Sequence, residues 1–125
     1  MPYIPQDRRF NLDVGSNPDN PGELNYLLTM TALESELPQK DSLYSSLMAI
    51  VRGYVEGMLL DYSLINEVVG ALTCAKLEYC RRKKTVELDA VFDGVLVDFY
   101  LAIAAPYEDK KIKENGDIFG YAEGL

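Results

Sequence analysis

The stretch TVELDAVFDGVLVDFYLAIAA, from Thr85 to Ala105, decides the fold, because it satisfies two periods at once. With period two, Val86, Leu88 and Ala90 alternate, Asp93-Gly94 supplies a tight turn, and Val95, Val97, Phe99, Leu101 and Ile103 alternate again, as in a β-hairpin. With period 3.6, Leu88, Val91, Phe92, Val95, Phe99, Ala102 and Ile103 fall on one helical face. A lone hairpin is marginal in water and needs a third strand or a helix to cover it. No third strand is evident in the chain, so the stretch is read as a helix capped by Thr85. The fold class that follows is all-α, a compact bundle of about four to five helices.

The flanking segments agree with this reading. Asn20-Pro21-Gly22-Glu23 opens a helix, with Asn20 as N-cap, Pro21 at the first helical position and Glu23 placed to return a capping-box bond. Leu24, Leu27, Leu28 and Thr31 share a face, and the helix is expected to end near Glu36, before Pro38. Asp41 is read as the cap of a helix over about 42–60, where Leu43, Leu47, Ile50, Val51, Tyr54 and Met58 give the strongest periodic signal in the chain. Gly53 and Gly57 each cost about 1 kcal/mol against Ala inside a helix, which points to the close approach of another helix or of a ligand, helix packing being the simpler reading. After a break at Asp61-Tyr62-Ser63, a helix over about 64–83 places Ile65, Val68, Val69, Leu72, Ala75 and Tyr79 inward. Arg81, Arg82, Lys83 and Lys84 then complement its dipole.

Pro106 is expected to kink or restart the chain's last helix. Residues 107–115 carry acids first and bases later, with Asn115-Gly116 as the stop. Residues 1–20 are rich in Pro, Asn, Asp and Gly and are read as an extended or irregular arm, docked through Tyr3, Ile4, Phe10, Leu12 and Val14. Residues 117–125 form a short tail with Ile118, Phe119 and Tyr121 as anchors. The whole, 1–125, reads as a single helical domain.

Composition excludes more than it selects. Lys and Arg number 12 and Asp and Glu 20, a formal charge of −8, which argues against binding the phosphate backbone of a nucleic acid or an anionic membrane surface. There is no His, so His-based triads, His-containing zinc sites and the commonest general base are excluded together. Phosphate-binding loops and nucleophile elbows are absent. Glu-x-x-Glu pairs, which bind magnesium in helical pyrophosphohydrolases, do not occur. The one Glu-x-x-Asp, Glu114 to Asp117, crosses a helix-ending glycine. Neither a metal nor another cofactor is expected, and the chain is not expected to be an enzyme. With two cysteines, no basic-then-apolar leader and no clean apolar run of about 20 residues, it is expected in a reducing cytoplasm.

Several stretches together carry a resemblance: Met1-Pro-Tyr-Ile-Pro-Gln-Asp-Arg-Arg9, Pro21-Gly-Glu-Leu-Asn-Tyr26, Ile65 to Tyr79, and Ala105-Pro-Tyr-Glu-Asp-Lys-Lys-Ile-Lys-Glu-Asn-Gly-Asp117. They are similar to a family of small uncharacterised bacteriophage and prophage proteins. Members of that family pass from the Leu-Glu-Tyr helix almost directly into the Ala-Pro-Tyr-Glu-Asp segment, whereas this chain carries an additional segment around Lys83 to Tyr100. The resemblance implies phage or prophage origin, a helical fold and residence in the host cytosol, and it implies no catalytic residues.

Two functional expectations follow. In the first, the protein is a non-enzymatic, homo-oligomeric binder that sequesters a small anionic, nucleotide-derived host immune signal. Arg would contact phosphate and Tyr would stack on the base. Its candidate ligand-binding residues are Tyr3, Arg8, Arg9, Asn25, Tyr107, Lys110, Lys111, Asn115 and Asp117. In the second, an acidic helical surface inhibits or adapts a protein partner. A helical metal-dependent nucleotide hydrolase is the weaker alternative. Self-association fits each of them, since the periodic helix with Gly53 and Gly57 and the apolar residues 91–105 together offer more hydrophobic face than a 14.0 kDa core is expected to consume.

Overall fold

The computed structural model describes residues 4–35 and 40–116. Among them no strand occurs, and the ambiguous stretch is helical. There are five continuous helical rods. These are α1 (Gln6–Asp13), α2 (Pro21–Glu34), α3 (Lys40–Val55), α4 (Tyr62–Lys83), and a long rod in which α5 (Asp89–Phe99) runs through a π-helical turn (Tyr100–Ala104) into α6 (Ala105–Asn115). The bundle proper is α2, α3, α4 and α5. Helix α2 packs most extensively on α4 and also on α3, and α5 packs on α3 and α4. Helices α2 and α5 therefore lie on opposite sides of one core.

That core follows the helical stripes. Leu24 and Leu28 come from α2, Leu43, Leu47, Val51 and Tyr54 from α3, Ile65, Val68, Leu72, Ala75 and Tyr79 from α4, and Val91, Phe92, Val95 and Phe99 from α5, all of them buried. The rings of Tyr79 and Phe92 meet at 6.2 Å between α4 and α5. Asn20 caps α2 as read, its Oδ1 accepting from the Glu23 N–H at 2.9 Å. The Glu23 side chain does not close the capping box, however. Its Oε1 accepts instead from the Asp19 N–H, at 2.9 Å.

Several boundaries differ from expectation, each for a local reason. Residues 1–20 are not irregular throughout, since α1 is a short helix that begins directly after Pro5, which stands at its cap position. Proline breaks a helix interior but not a helix start. Helix α3 is already helical at Lys40, so Asp41 lies in its first turn, and it ends at Val55. Gly57 then adopts φ +78°, a turn conformation suited to glycine, which leaves Met58 outside the stripe and exposed. Neither glycine marks helix-on-helix contact. A Cβ on Gly53 would meet Asn17 Oδ1 at 3.4 Å, and one on Gly57 would meet open space. Asp61 caps α4, accepting from the Leu64 N–H at 2.8 Å, so helix starts at Tyr62. Thr85 does not cap α5. Lys84, left-handed at φ 54°, ends α4, Thr85 Oγ1 accepts from the Glu87 N–H at 3.3 Å within the turn, and α5 begins at Asp89.

The largest consequence lies at Pro106. Proline lacks an N–H and its ring presses on the carbonyl four residues back. The ladder upstream widens, and the Ala105 N–H bonds Tyr100 O, five residues away. A straight α-helix would carry the buried stripe from Phe99 to Ala102 and Ile103. The π turn carries it to Ala104, which is fully buried, while Ala102 is exposed and Ile103 half-buried. Ala104→Leu is expected to overpack the core and cost about 1–3 kcal/mol. Ala102→Leu is expected to stay within about 0.5 kcal/mol. Urea denaturation of the two variants checks the phase of the helix.

Candidate functional site

The residues expected to bind an anion fall into separate places. Tyr3 and Asp117 lie outside the described residues. Arg8, on α1, reaches back to α2. Its Nη2 donates to Asn17 O at 2.7 Å, Asp19 Oδ2 at 3.1 Å and Glu23 Oε1 at 2.8 Å. Its guanidinium is thus engaged in fastening the N-terminal segment, together with buried Leu12 and the Tyr26 hydroxyl, which donates to Asp13. Arg9 donates from Nε to Ile4 O at 3.0 Å. Asn25, on α2, accepts from the hydroxyl of buried Thr29 at 3.0 Å. Tyr107, Lys110, Lys111 and Asn115 lie on α6, with Lys111 Nζ 5.6 Å from the Tyr107 ring and 3.3 Å from Glu114. Helix α6 packs on the π turn, and its substantial packing includes neither α1 nor α2. The structure therefore brings Arg8 and Arg9 together, and Tyr107 with Lys111, without gathering the set into one pocket.

Two of the basic run at the end of α4 pair with an acid of the same helix. Arg81 and Arg82 both bind Glu78, at 2.5 and 2.7 Å. Hydrogen bonding from Arg81, then from Arg82, outweighs burial and holds the Glu78 carboxyl at about 2. The Glu23 carboxyl is lowered as well, first by the bond from Arg8, against burial, with help from the Asp19 N–H.

A different surface is built for contact. A cleft of about 620 Å³ opens between the first turns of α4 and the α5–π junction, lined by Tyr62, Ile65, Asn66, Val69, Leu96, Val97, Tyr100, Leu101 and Glu108. Its walls are mostly apolar, yet four of these residues are well exposed: Tyr62 at 64%, Val97 at 52%, Tyr100 at 46% and Leu101 at 63%. On the other side of the π turn a smaller hollow of about 380 Å³ includes Tyr44, Arg52, Asp98 and Ile103, and there the Tyr44 hydroxyl donates to Asp98. The π turn thus forms the ridge between two concavities. Such turns recur at functional sites. The signal in the sequence is the row of apolar residues at 97, 100 and 101, off the inward stripe of α5.

Among the described residues, one helix, Asp89–Asn115, is long and apolar enough to cross a membrane by length and composition, and 28% of its apolar window is buried. Two of its acids are tied to the bundle, Asp93 to Lys76 at 2.9 Å and Asp98 to Tyr44. No three acidic or thiol side chains converge among the described residues.

The two lowered carboxyls set a pH dependence. A group whose folded pKa lies below its unfolded value, about 4.3 for Glu, contributes stability above that value and loses it as pH falls. Urea midpoints of the wild type are therefore expected to drop steadily below about pH 4.3. In Glu78→Gln that drop becomes shallower. Arg8→Met lowers the midpoint clearly at neutral pH and much less once Glu23 is protonated.

Comparison with curated proteins finds no match, and comparison with solved structures finds none. One family model does match, over residues 1–89, which takes in α1 to α4 and stops where the long apolar helix begins. The chain belongs to that family, described as a domain of unknown function, DUF6899.

Proposed function

We propose that this protein is a non-enzymatic binding module that works by burying the apolar cleft beside the π turn against a helical face of a protein. The observation that carries the reading is the exposure of Val97, Tyr100 and Leu101 along one wall of that cleft, on a helix whose opposite side closes the core. Burial of apolar surface stabilises by about 25 cal/mol per Å², so a few such side chains supply several kcal/mol to an association. Exposed apolar surface grouped into a concavity marks an interaction site far more often than scattered exposed residues do.

The chemistry agrees with binding rather than turnover. The chain has no His to act as a general base, and two acids of the long helix, Asp93 and Asp98, are held singly, by Lys76 and Tyr44. Sequestration of a nucleotide-derived anion has less support, because Arg8, Arg81 and Arg82 are bound to carboxylates of the chain itself. The resemblance of the chain's segments to small phage and prophage proteins favours an accessory role in a host cytoplasm. An excess of acids over bases favours partners other than nucleic acid.

Native mass spectrometry of the affinity-purified chain tests the proposal. The wild type is expected to carry a stoichiometric protein chain, either a second copy or another protein, which is lost in Leu101→Asp while the circular dichroism spectrum stays helical. A wild type that carries only a small anion, or nothing, contradicts the reading.

A further inference from the structure

We propose that α1 is a latch, a helix that swings away from α2 as one unit, about a joint between Ser16 and Asn17, while the bundle of α2 to α5 stays folded. The inference is independent of the binding reading above, because α1 lies on α2, across the core from α5.

Three observations carry it. First, α1 is attached by little apolar surface. Of its residues Leu12 alone is buried, while Phe10 and, just beyond the helix, Val14 are exposed. Its substantial packing is on α2 alone. Leu12 and Tyr26 are both buried, yet neither belongs to the continuous core of the bundle. Opening the contact between α1 and α2 therefore leaves that core whole. A segment with few buried apolar contacts opens at a lower free energy than the core it lies on.

Second, α1 is closed at its own end, and the link beyond it is held separately. Gly15, at φ +114°, reverses the chain so that its N–H bonds Leu12 O at 3.2 Å and the Ser16 N–H bonds Asn11 O at 2.9 Å. This glycine cap uses no atom of the bundle. Past the cap, Pro18 is buried, Asn17 Oδ1 lies 3.4 Å from where a Cβ on Gly53 of α3 would stand, and Asn20 caps α2.

Third, the polar ties all cross that joint. Arg8 Nη2, on one side, donates to Asn17 O, Asp19 Oδ2 and Glu23 Oε1 on the other. The Tyr26 hydroxyl donates back across it to Asp13 at 3.1 Å. Among the described residues no other side-chain hydrogen bond or ion pair ties α1 to the bundle. Opening thus undoes the bonds of one guanidinium and one phenol and uncovers one leucine. It frees the Arg8 cation and bares the Glu23 and Tyr26 face of α2, so the latch sets when these groups meet solvent.

Native-state hydrogen exchange of the full chain at pH 7, in rising but sub-denaturing urea, tests the latch. A helix of eight residues does not persist alone in water, so undocking exposes all its amides together. The amides from Arg9 to Ser16 are expected to share one opening equilibrium. They open about a hundredfold or more oftener than the slowest amides of α2 and α4, with a weaker dependence on urea. Tyr26→Phe and Arg8→Met remove ties from the two sides of the contact. They are expected to speed exchange of Arg9–Ser16 by about threefold and about tenfold or more. Leu12→Asp is expected to hold the latch open, with Arg9–Ser16 unprotected and the amides of α2 to α5 still protected.

Three results overturn the proposal. One is exchange graded from the end of α1 inward and indifferent to Tyr26→Phe and Arg8→Met, which is fraying of a docked helix. Another is exchange of Arg9–Ser16 with the rate and urea dependence of α2. The third is a Leu12→Asp chain that loses protection throughout, since α1 would then be part of the one cooperative fold.

Discussion

The structure depends on a constraint imposed by one imino acid. Pro106 can neither donate a hydrogen bond nor tolerate the carbonyl four residues back, so the helix that contains it cannot remain a regular α-helix through residues 100–104. The chain keeps the rod continuous by taking one π turn. That turn keeps Ala104 in the core behind Phe99, while Tyr100 and Leu101, off the inward stripe, stay exposed. One face of a single helix closes the bundle against α3 and α4, while another lines an open apolar cleft. A kinked or broken helix would have sent α6 elsewhere.

The rest of the molecule holds that helix in place. Asp93 is tied to Lys76 on α4 and Asp98 to Tyr44 on α3, so both flanks of α5 are pinned to the bundle. On the far side, Arg8 gathers Asn17 O, Asp19 and Glu23 and fastens the N-terminal segment to α2. Within the last turns of α4 itself, Glu78 pairs with Arg81 and Arg82. These polar clusters explain why most of the chain's arginines are engaged within the fold. Lys83, Lys84, Lys110, Lys111 and Lys113 remain exposed. Tyr54 belongs to the same pattern. Burial, and then its bond to Glu67 at 3.0 Å, pushes the phenol up to about 12, so it remains a neutral donor at any physiological pH.

Much of the fold was legible in the residues. The stripes of α3 and α4 needed only a period of 3.6, and Asn20-Pro21 marked the start of α2 unaided. Choosing helix over hairpin for 85–105 rested on the lack of a covering strand, and the buried Val91, Phe92, Val95 and Phe99 agree with that choice. The errors have local causes. Spacing rules assume one period along a helix, so they place Ala102 inward and miss Ala104, while Ile103 does pack against the core, half-buried. Helix α1 was read as irregular because Pro5 and the later turn-forming residues were counted together, although Pro5 sits just before the helix rather than in it. The candidate site was less legible still. Arg8 reads as an exposed cation until α1 folds back on α2, and its bond to Glu23 then spans fifteen residues. The apolar excess of 91–105 was visible in the sequence, but its gathering into a cleft with Tyr62 and Asn66 depends on how α5 crosses α4.

The account reduces to the claim that the outward side of Asp89–Asn115 is a surface buried during function. Hydrogen exchange of the amides from Tyr100 to Asn115, compared between the affinity-purified wild type with the protein chain it carries and Leu101→Asp, tests this most directly. If the claim holds, the π turn and α6 are protected in the wild type and exchange quickly in the variant, while the amides of α2 and α4 do not change. Equal exchange of Tyr100–Asn115 in the two would contradict it.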